Sequence, residues 1–296
     1  MLRQLTGCGC IIVSILLSLI SSGARVQSSS SQELLKDQIG NFVFDASLGN
    51  PAPPITVWYY RPNQVDPGTR VVFLMHGSSR TGQEARDLGS KYAKNHNFIL
   101  LAPEFSEKNY PGDTYAFGNM LGNDGKLLPE SMWAFATIER VFDRVRKELQ
   151  LSTQTYDIFG HSAGGQVVHR LVLFAPHLRF RRAVASSPGR YALLKMSENF
   201  PYGFKGTSLD SSVLAGSFSR DFVLVLGDQD TDDRVRETEA MSQGANRFAR
   251  GLRFFATATE QANVFKVPLA WRLRIVAGVG HSPGPAVQAG FEELLR

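Results

Sequence analysis

The stretch YDIFGHSAGG, residues 156–165, sets one serine, Ser162, between a short apolar run and a pair of glycines. Residues 156–159 read as a buried strand, and residues 164–174 are apolar enough for a buried helix, so Ser162 falls on the turn between them. Gly160-His161-Ser162-Ala163-Gly164 fits G-x-S-x-G. Between a strand and a helix, that pattern forces the serine into strained backbone, and its neighbours must be small for the two elements to approach. The hydroxyl then stands clear of the sheet's carboxyl edge. The helix that follows aims its free N–H groups and positive dipole end at the same point.

Working outward, a rhythm of strands and helices surrounds this turn. Strands are expected at 41–45 and 55–60, joined through the Pro-rich turn 51–54 as an antiparallel edge pair. A buried-type run at 70–75 ends in His76-Gly77, a helix follows at 84–95, and a strand at 98–102. Residues 106–129 are polar and Gly-rich and read as a long functional loop. Residues 130–150 form an amphipathic helix with Trp133, Ile138, Val141, Phe142 and Val145 on one face. Further strands are expected at 182–186, 221–226 and 272–277, with a less regular segment at 188–220. A helix at 236–255 is expected to break or kink near Gly244 and Gly251, and a last helix covers 285–295. Apolar strands alternating with helices imply an α/β fold: a mostly parallel sheet with helices on both faces, one domain over residues 41–296.

The first 24 residues differ. Arg3 heads an apolar run at 11–20, and Ser22 and Ala24 suit a cleavage site, so residues 1–24 read as a signal peptide. A retained membrane anchor is the alternative, because residues 4–24 carry no charge. Residues 25–40, Ser-rich over 26–32, read as a linker. Secretion or a periplasmic location is the expectation. Both cysteines, Cys8 and Cys10, lie in the leader, so the processed chain has no disulfide or thiol chemistry. Losing Arg3 lowers the formal charge from +5 to +4. No Lys/Arg block and no aromatic-interleaved basic patch points to a nucleic-acid partner.

A serine hydroxyl needs a base, and the base needs an orienting acid. Of the six histidines, His76 sits against Gly77 in a loop suited to oxyanion donors, and His96 lies in a turn. His161 lies inside the serine turn, while His169 and His177 belong to or follow the next helix. His281, in Val279-Gly280-His281-Ser282-Pro283 after the last strand, can swing over the serine. In such chains the acid lies between serine and histidine. Gly227-Asp-Gln-Asp-Thr-Asp-Asp follows a strand in that interval and offers Asp230, with Asp232 and then Asp228 as alternatives. Asp228, Asp230, Asp232 and Glu239 also match EF-hand spacing, but Asp233 stands where that loop needs glycine. No metal is expected. Oxyanion stabilisation calls for two backbone N–H donors, expected from Ala163 and from Ser78, with Ser79 the second choice.

Phe73-Leu-Met-His-Gly, Gly160-His-Ser-Ala-Gly-Gly, Gly227-Asp-Gln-Asp and Gly280-His281 resemble the landmarks of α/β-hydrolases, in their usual order. Within that superfamily the chain is most similar to the secreted serine esterases that include poly(3-hydroxybutyrate) depolymerase-like and feruloyl-esterase-like enzymes. The likeness rests on His76-Gly77-Ser78-Ser79, residues 103–110 and Pro201-Tyr-Gly-Phe, and the cysteine-free processed chain departs from many secreted relatives. The resemblance implies Ser162 as nucleophile, His281 as base, and an acid within 228–232. Expected chemistry is therefore hydrolysis of a small or polymeric carboxylic ester without a cofactor. Acyl transfer by the same residues, or a non-catalytic binding role, is the alternative. Specificity is expected in loops 106–129 and 188–220, with Tyr110, Tyr202 and Phe204 forming an apolar or aromatic acyl pocket.

Overall fold

The computed structural model describes residues 34–231 and 235–296. Among these residues, eight strands form one sheet: β1 (Ile39–Phe44), β2 (Ile55–Tyr60), β3 (Val71–Met75), β4 (Ile99–Glu104), β5 (Tyr156–His161), β6 (Phe180–Ser186), β7 (Asp221–Gly227) and β8 (Arg272–Val276). Their order is β1-β2-β4-β3-β5-β6-β7-β8. β1 pairs with β2, and β2 with β4, in antiparallel fashion, while every pairing from β4 to β8 is parallel. The expected edge pair is present, but it begins earlier than residue 41. β1 opens at Ile39 and Leu35 is already buried in the core, so the expected linker over 25–40 gives way to packed structure in its last residues.

Among the described residues there are seven α-helices, six between strands and one after the last: α1 (Gly82–His96), α2 (Ala134–Glu148), α3 (Ala163–Phe174), α4 (Ser211–Ser217), α5 (Thr238–Gln243), α6 (Arg247–Phe265) and α7 (Pro283–Leu294). The alternation of side chains along a strand decides which layer each residue joins. In β3, Val71, Phe73 and Met75 pack with Ile138 and Phe142 of α2, Val167 and Leu171 of α3, and Phe254 of α6. The intervening Val72 and Leu74 join Ala85 of α1 and Val287 and Phe291 of α7 on the other face. All five residues of β3 and all six of β5 are buried, as central parallel strands require.

The segment 236–265 is broken once, not twice. Gly244 ends α5, but Gly251 lies inside α6, where a Cβ would meet Leu226 Cδ2 at 2.5 Å and the Tyr191 hydroxyl at 2.9 Å. That glycine marks close helix–sheet contact, not a kink. β5, β7 and β8 all run the same way, so their carboxyl ends, and the loops after them, share one rim of the sheet. In open α/β sheets that rim carries the ligand sites.

Candidate active site

Ser162 joins β5 to α3 with φ 58° and ψ −116°, a backbone conformation that costs a non-glycine residue about 1–3 kcal/mol. Close packing holds it there. A Cβ on Gly160 would lie 2.3 Å from the Gly164 carbonyl oxygen, and one on Gly164 would lie 2.3 Å from that of Met75. The Ser162 N–H donates to Ser186 O of β6 at 2.9 Å, and Ser162 O accepts from Gln166 N at 3.0 Å. Strand and helix therefore clamp the serine from both sides.

The loops after β7 and β8 are stitched together by backbone. Gln229 N–H donates to Val279 O at 3.0 Å, and Asp228 N–H to Val276 O at 3.2 Å. The Asp228 carboxylate accepts from Gly278 N at 2.7 Å. Gly227 permits this crossing, since a Cβ there would sit 2.2 Å from Val279 O. The result is a chain of side chains across the rim. His281 Nε2 lies 3.0 Å from Ser162 Oγ, and His281 Nδ1 lies 2.8 Å from Asp230 Oδ2. With Nδ1 protonated, the ring donates to Asp230 and Nε2 is left to accept the serine proton.

Asp230 is buried with 2% of its surface exposed. Burial pushes its carboxyl up, but the hydrogen bond and charge of His281, the Arg247 guanidinium and Ser187 outweigh it, so the net shift is downward. The carboxylate thus stays ionised beside the imidazole. Asp228 is occupied by Gly278, and Asp232 lies outside the described residues. His161 packs against the His281 ring at 4.8 Å, and burial, aided by His281, brings it down to about 3. It stays neutral and adds no proton-transfer group.

Ser78 and Ala163 line the same cleft as Ser162. Among the described residues neither backbone N–H has an acceptor, so both are free to donate to a developing oxyanion. Ser79 turns away: its hydroxyl bonds Thr81 Oγ1 at 2.8 Å, and it lines a separate small cavity with His76 and Pro283. His76 pins the loop before Ser78. Its Nδ1 donates to Gly77 O at 2.9 Å and its Nε2 accepts from Phe105 N at 3.0 Å. Tyr115 stacks on that ring at 4.2 Å and donates its hydroxyl to His76 O.

The substrate-facing expectation needs correction. Tyr110 is fully buried, donates to Pro53 O at 2.7 Å and packs edge-on to Phe105. Phe204 is also in the core, against Phe174. Tyr202 is half-buried but does not line the cleft. Burying large rings against apolar neighbours outcompetes lining a water-filled groove. The expected loops do face the serine, but through other residues. A cleft of about 380 Å³ is lined by Arg80, Glu107, Asp113, Gln166, Gly189, Arg190 and Arg247, among others. Arg190 is held by Asp113 and by Glu237, and Arg80 by Glu107 and the carbonyls of Phe105 and Gly112. Sequence reasoning passed over these polar residues. Gln166 was the visible signal, a carboxamide four residues past Ser162 in an otherwise apolar stretch of helix.

A parallel sheet covered on both faces, with a strained serine turn on its carboxyl rim, defines the α/β-hydrolase class. The chain belongs to the α/β-hydrolase family, among hydrolases of the esterase and depolymerase type. It is 35% identical to poly(aspartic acid) hydrolase-1 from Sphingomonas sp. KT-1, with a TM-score of 0.85 over 88% of this chain and 100% of that one. It is 31% identical to LpqC, a poly(3-hydroxybutyrate) depolymerase from Bordetella parapertussis, with a TM-score of 0.82 over 86% of this chain and 88% of that one. A ferulic acid esterase shares the fold at 15% identity and a TM-score of 0.53, covering 87% of this chain and 97% of its own. No family model and no curated protein matches the chain.

Proposed function

We propose that this protein hydrolyses carboxylic esters through an acyl-enzyme, with Ser162 as nucleophile, His281 as general base and Asp230 as the orienting acid. The observation that carries the reading is the pair of contacts at 3.0 and 2.8 Å linking Ser162, His281 and Asp230. Ser162 Oγ attacks the acyl carbon as His281 Nε2 takes its proton. The tetrahedral oxyanion accepts from Ser78 N–H and Ala163 N–H at the start of α3. The imidazolium returns the proton to the leaving alcohol, the C–O bond breaks, and water repeats the cycle on the acyl-enzyme. Asp230 stabilises the imidazolium without being protonated. Loss of one oxyanion donor typically costs about 10²–10³ in rate.

Two relatives, at 35% and 31% identity, are named for polymer substrates, poly(aspartic acid) and a polyester. Both polymers, together with short chromogenic esters, form the test panel. Turnover of at least one ester by the wild-type chain, abolished in Ser162→Ala and in His281→Ala, supports the reading. Undiminished turnover in either variant overturns it. With sugar or alcohol acceptors present, acyl-ester products instead of free acid would favour acyl transfer by the same residues.

The leader at 1–24 supports export, with the chain acting outside the cytoplasm. It lies outside the described residues, and no helix among the described residues is long and apolar enough to cross a membrane. Amino-terminal sequencing of protein recovered from culture medium, periplasm and membranes tests it. A chain recovered intact from the cytoplasm alone would overturn export.

A further inference from the structure

We propose that Tyr115, in the loop between β4 and α2, is a positioning residue for the oxyanion hole. It clamps His76 at both its ring and its backbone carbonyl, and so fixes the direction of the Ser78 N–H. The inference rests on the reading of Ser162 as nucleophile and Ser78 as an oxyanion donor.

The chain of contacts starts at the peptide that carries this N–H. The Gly77–Ser78 bond is trans, so its C=O and N–H point in opposite directions. Gly77 O is held by two donors, His76 Nδ1–H at 2.9 Å and the Arg80 N–H at 3.2 Å. Fixing the carbonyl there turns the Ser78 N–H the other way. Ser78 lines the cleft with Ser162 and Ala163, and its N–H has no acceptor among the described residues.

What keeps the His76 donor in place lies outside its own loop. Its Nε2 accepts from Phe105 N, just past β4, at 3.0 Å. That bond requires a neutral ring, and burial brings the His76 pKa down to about 4. Tyr115 stacks on the imidazole at 4.2 Å with 26° between the planes, and its hydroxyl donates to His76 O at 2.8 Å. The stack limits tilting of the ring, and the hydroxyl fixes the peptide that joins His76 to Gly77.

Tyr115 is itself well anchored. It is fully buried, and burial pushes its phenol up, so the hydroxyl stays protonated as a donor. Phe105 stacks on it at 5.3 Å, and the Arg80 guanidinium lies 4.8 Å from its centroid. Arg80 closes the turn from Gly77 at a φ of 59°, which needs outside support, and its side chain donates to Phe105 O at 2.8 Å. The next residue ties the same loop to α3, because Ala116 O accepts from Arg170 at 3.3 Å. One short segment therefore registers both donors of the hole, Ser78 after β3 and Ala163 at the start of α3.

Tyr115→Phe keeps the ring and deletes only the hydroxyl, and Tyr110→Phe is its control. Tyr110 lies in the same loop, is equally buried and gives its hydroxyl to Pro53 O at 2.7 Å, a carbonyl outside the site. Each protein is assayed on a short chromogenic ester and with pentyl trifluoromethyl ketone, whose hemiketal with Ser162 places an oxyanion in the hole. Tyr115→Phe is expected to lose about tenfold in kcat with KM within about twofold of wild type, and to weaken the ketone's Ki about tenfold. Tyr110→Phe is expected to keep wild-type kcat and Ki, although both variants should lower the urea midpoint. A fluorophosphonate adduct on Ser162 shows that each variant is folded. Wild-type kcat and Ki in Tyr115→Phe, or a change in KM alone, would overturn the positioning role. Ser78→Pro deletes the donor N–H itself and is expected to lose about 10²–10³ in kcat. That loss beside an unaffected Tyr115→Phe sinks the positioning role alone, while undiminished kcat in Ser78→Pro removes Ser78 from the hole and the proposal with it. If the nucleophile reading fails instead, the wild-type chain carries no adduct at Ser162 and the ketone does not inhibit it.

Discussion

Gly164→Ala places one methyl group where the account allows none. Its Cβ would lie 2.3 Å from Met75 O and 2.8 Å from His76 O, both backbone atoms at the end of β3. Ordinary contact needs about 3.4 Å, so α3 must retreat by about 1 Å or β3 must bend. Neither oxygen can rotate aside, and β3 is wedged between β4 and β5. Overpacking of this kind costs about 1–3 kcal/mol, against which alanine's helix preference returns at most about 1 kcal/mol. The larger consequence is catalytic. Ser162 Oγ and the Ala163 N–H ride on the start of α3, while His281 comes from the loop after β8. A displacement of about 1 Å between groups that must align within 3.0 Å is worth about 10²-fold in rate. Gly216→Ala in α4 is the control, because nothing lies within 4 Å of its Cβ position. kcat/KM on a short ester and urea midpoints are measured for both. Gly164→Ala should lose about 10² in kcat/KM with a lowered midpoint, and Gly216→Ala should keep wild-type kcat/KM with a midpoint equal to or above wild type. A Gly164→Ala protein with wild-type turnover and midpoint would refute the close-packing argument.

Further expectations concern the acid and the buried histidines. Asp230→Asn should lower kcat by about 10⁴, against about 10⁶ for Ser162→Ala or His281→Ala, while Asp228→Asn should alter turnover by less than tenfold because its carboxylate serves Gly278. A larger loss in Asp228→Asn than in Asp230→Asn would reassign the acid. Burial brings His76 down to about 4 and His161 to about 3, and holds His169 low as well. The unfolded chain takes up these protons near pH 6.5 and the folded chain does not, so stability should fall as pH drops from 6.5 toward 4. The loss amounts to several kcal/mol, read as a lower urea midpoint at pH 5 than at pH 7. His76→Gln should flatten this dependence, and equal midpoints at the two pH values would contradict it.

What the sequence made legible, and what it hid, follows from how local each cause is. The fold was readable because strand burial and helix amphipathicity are set within short windows, as in β3, β5 and α2. The serine turn was readable for the same reason: three glycines and a serine at fixed spacing leave few other geometries. That Ser162, Asp230 and His281 meet depends on three loops leaving one sheet rim, which parallel topology alone secures. The choice among Asp228, Asp230 and Asp232 was less local, because it turns on the stitching of one loop to Val276, Gly278 and Val279. The cleft lining was hidden. Tyr110 and Phe204 look like binding residues in a loop, yet their burial is decided by neighbours about 30 or more residues away in the chain, Pro53 and Phe174. Arg80, Arg190 and Arg247 read as solvated charges until tertiary structure turns them toward one groove. Gly251 misled in the opposite direction, because a glycine's reason for being small can lie in another element, here Leu226 of β7.

The central claim is that the Ser162 hydroxyl, activated by His281, is the group that attacks. A fluorophosphonate probe tests it most directly, with intact-mass and peptide mapping of the purified chain. The account predicts one adduct per chain on the peptide containing Ser162, strongly slowed in His281→Ala and absent in Ser162→Ala. An adduct that forms equally in Ser162→Ala, or that maps to another residue, would contradict it.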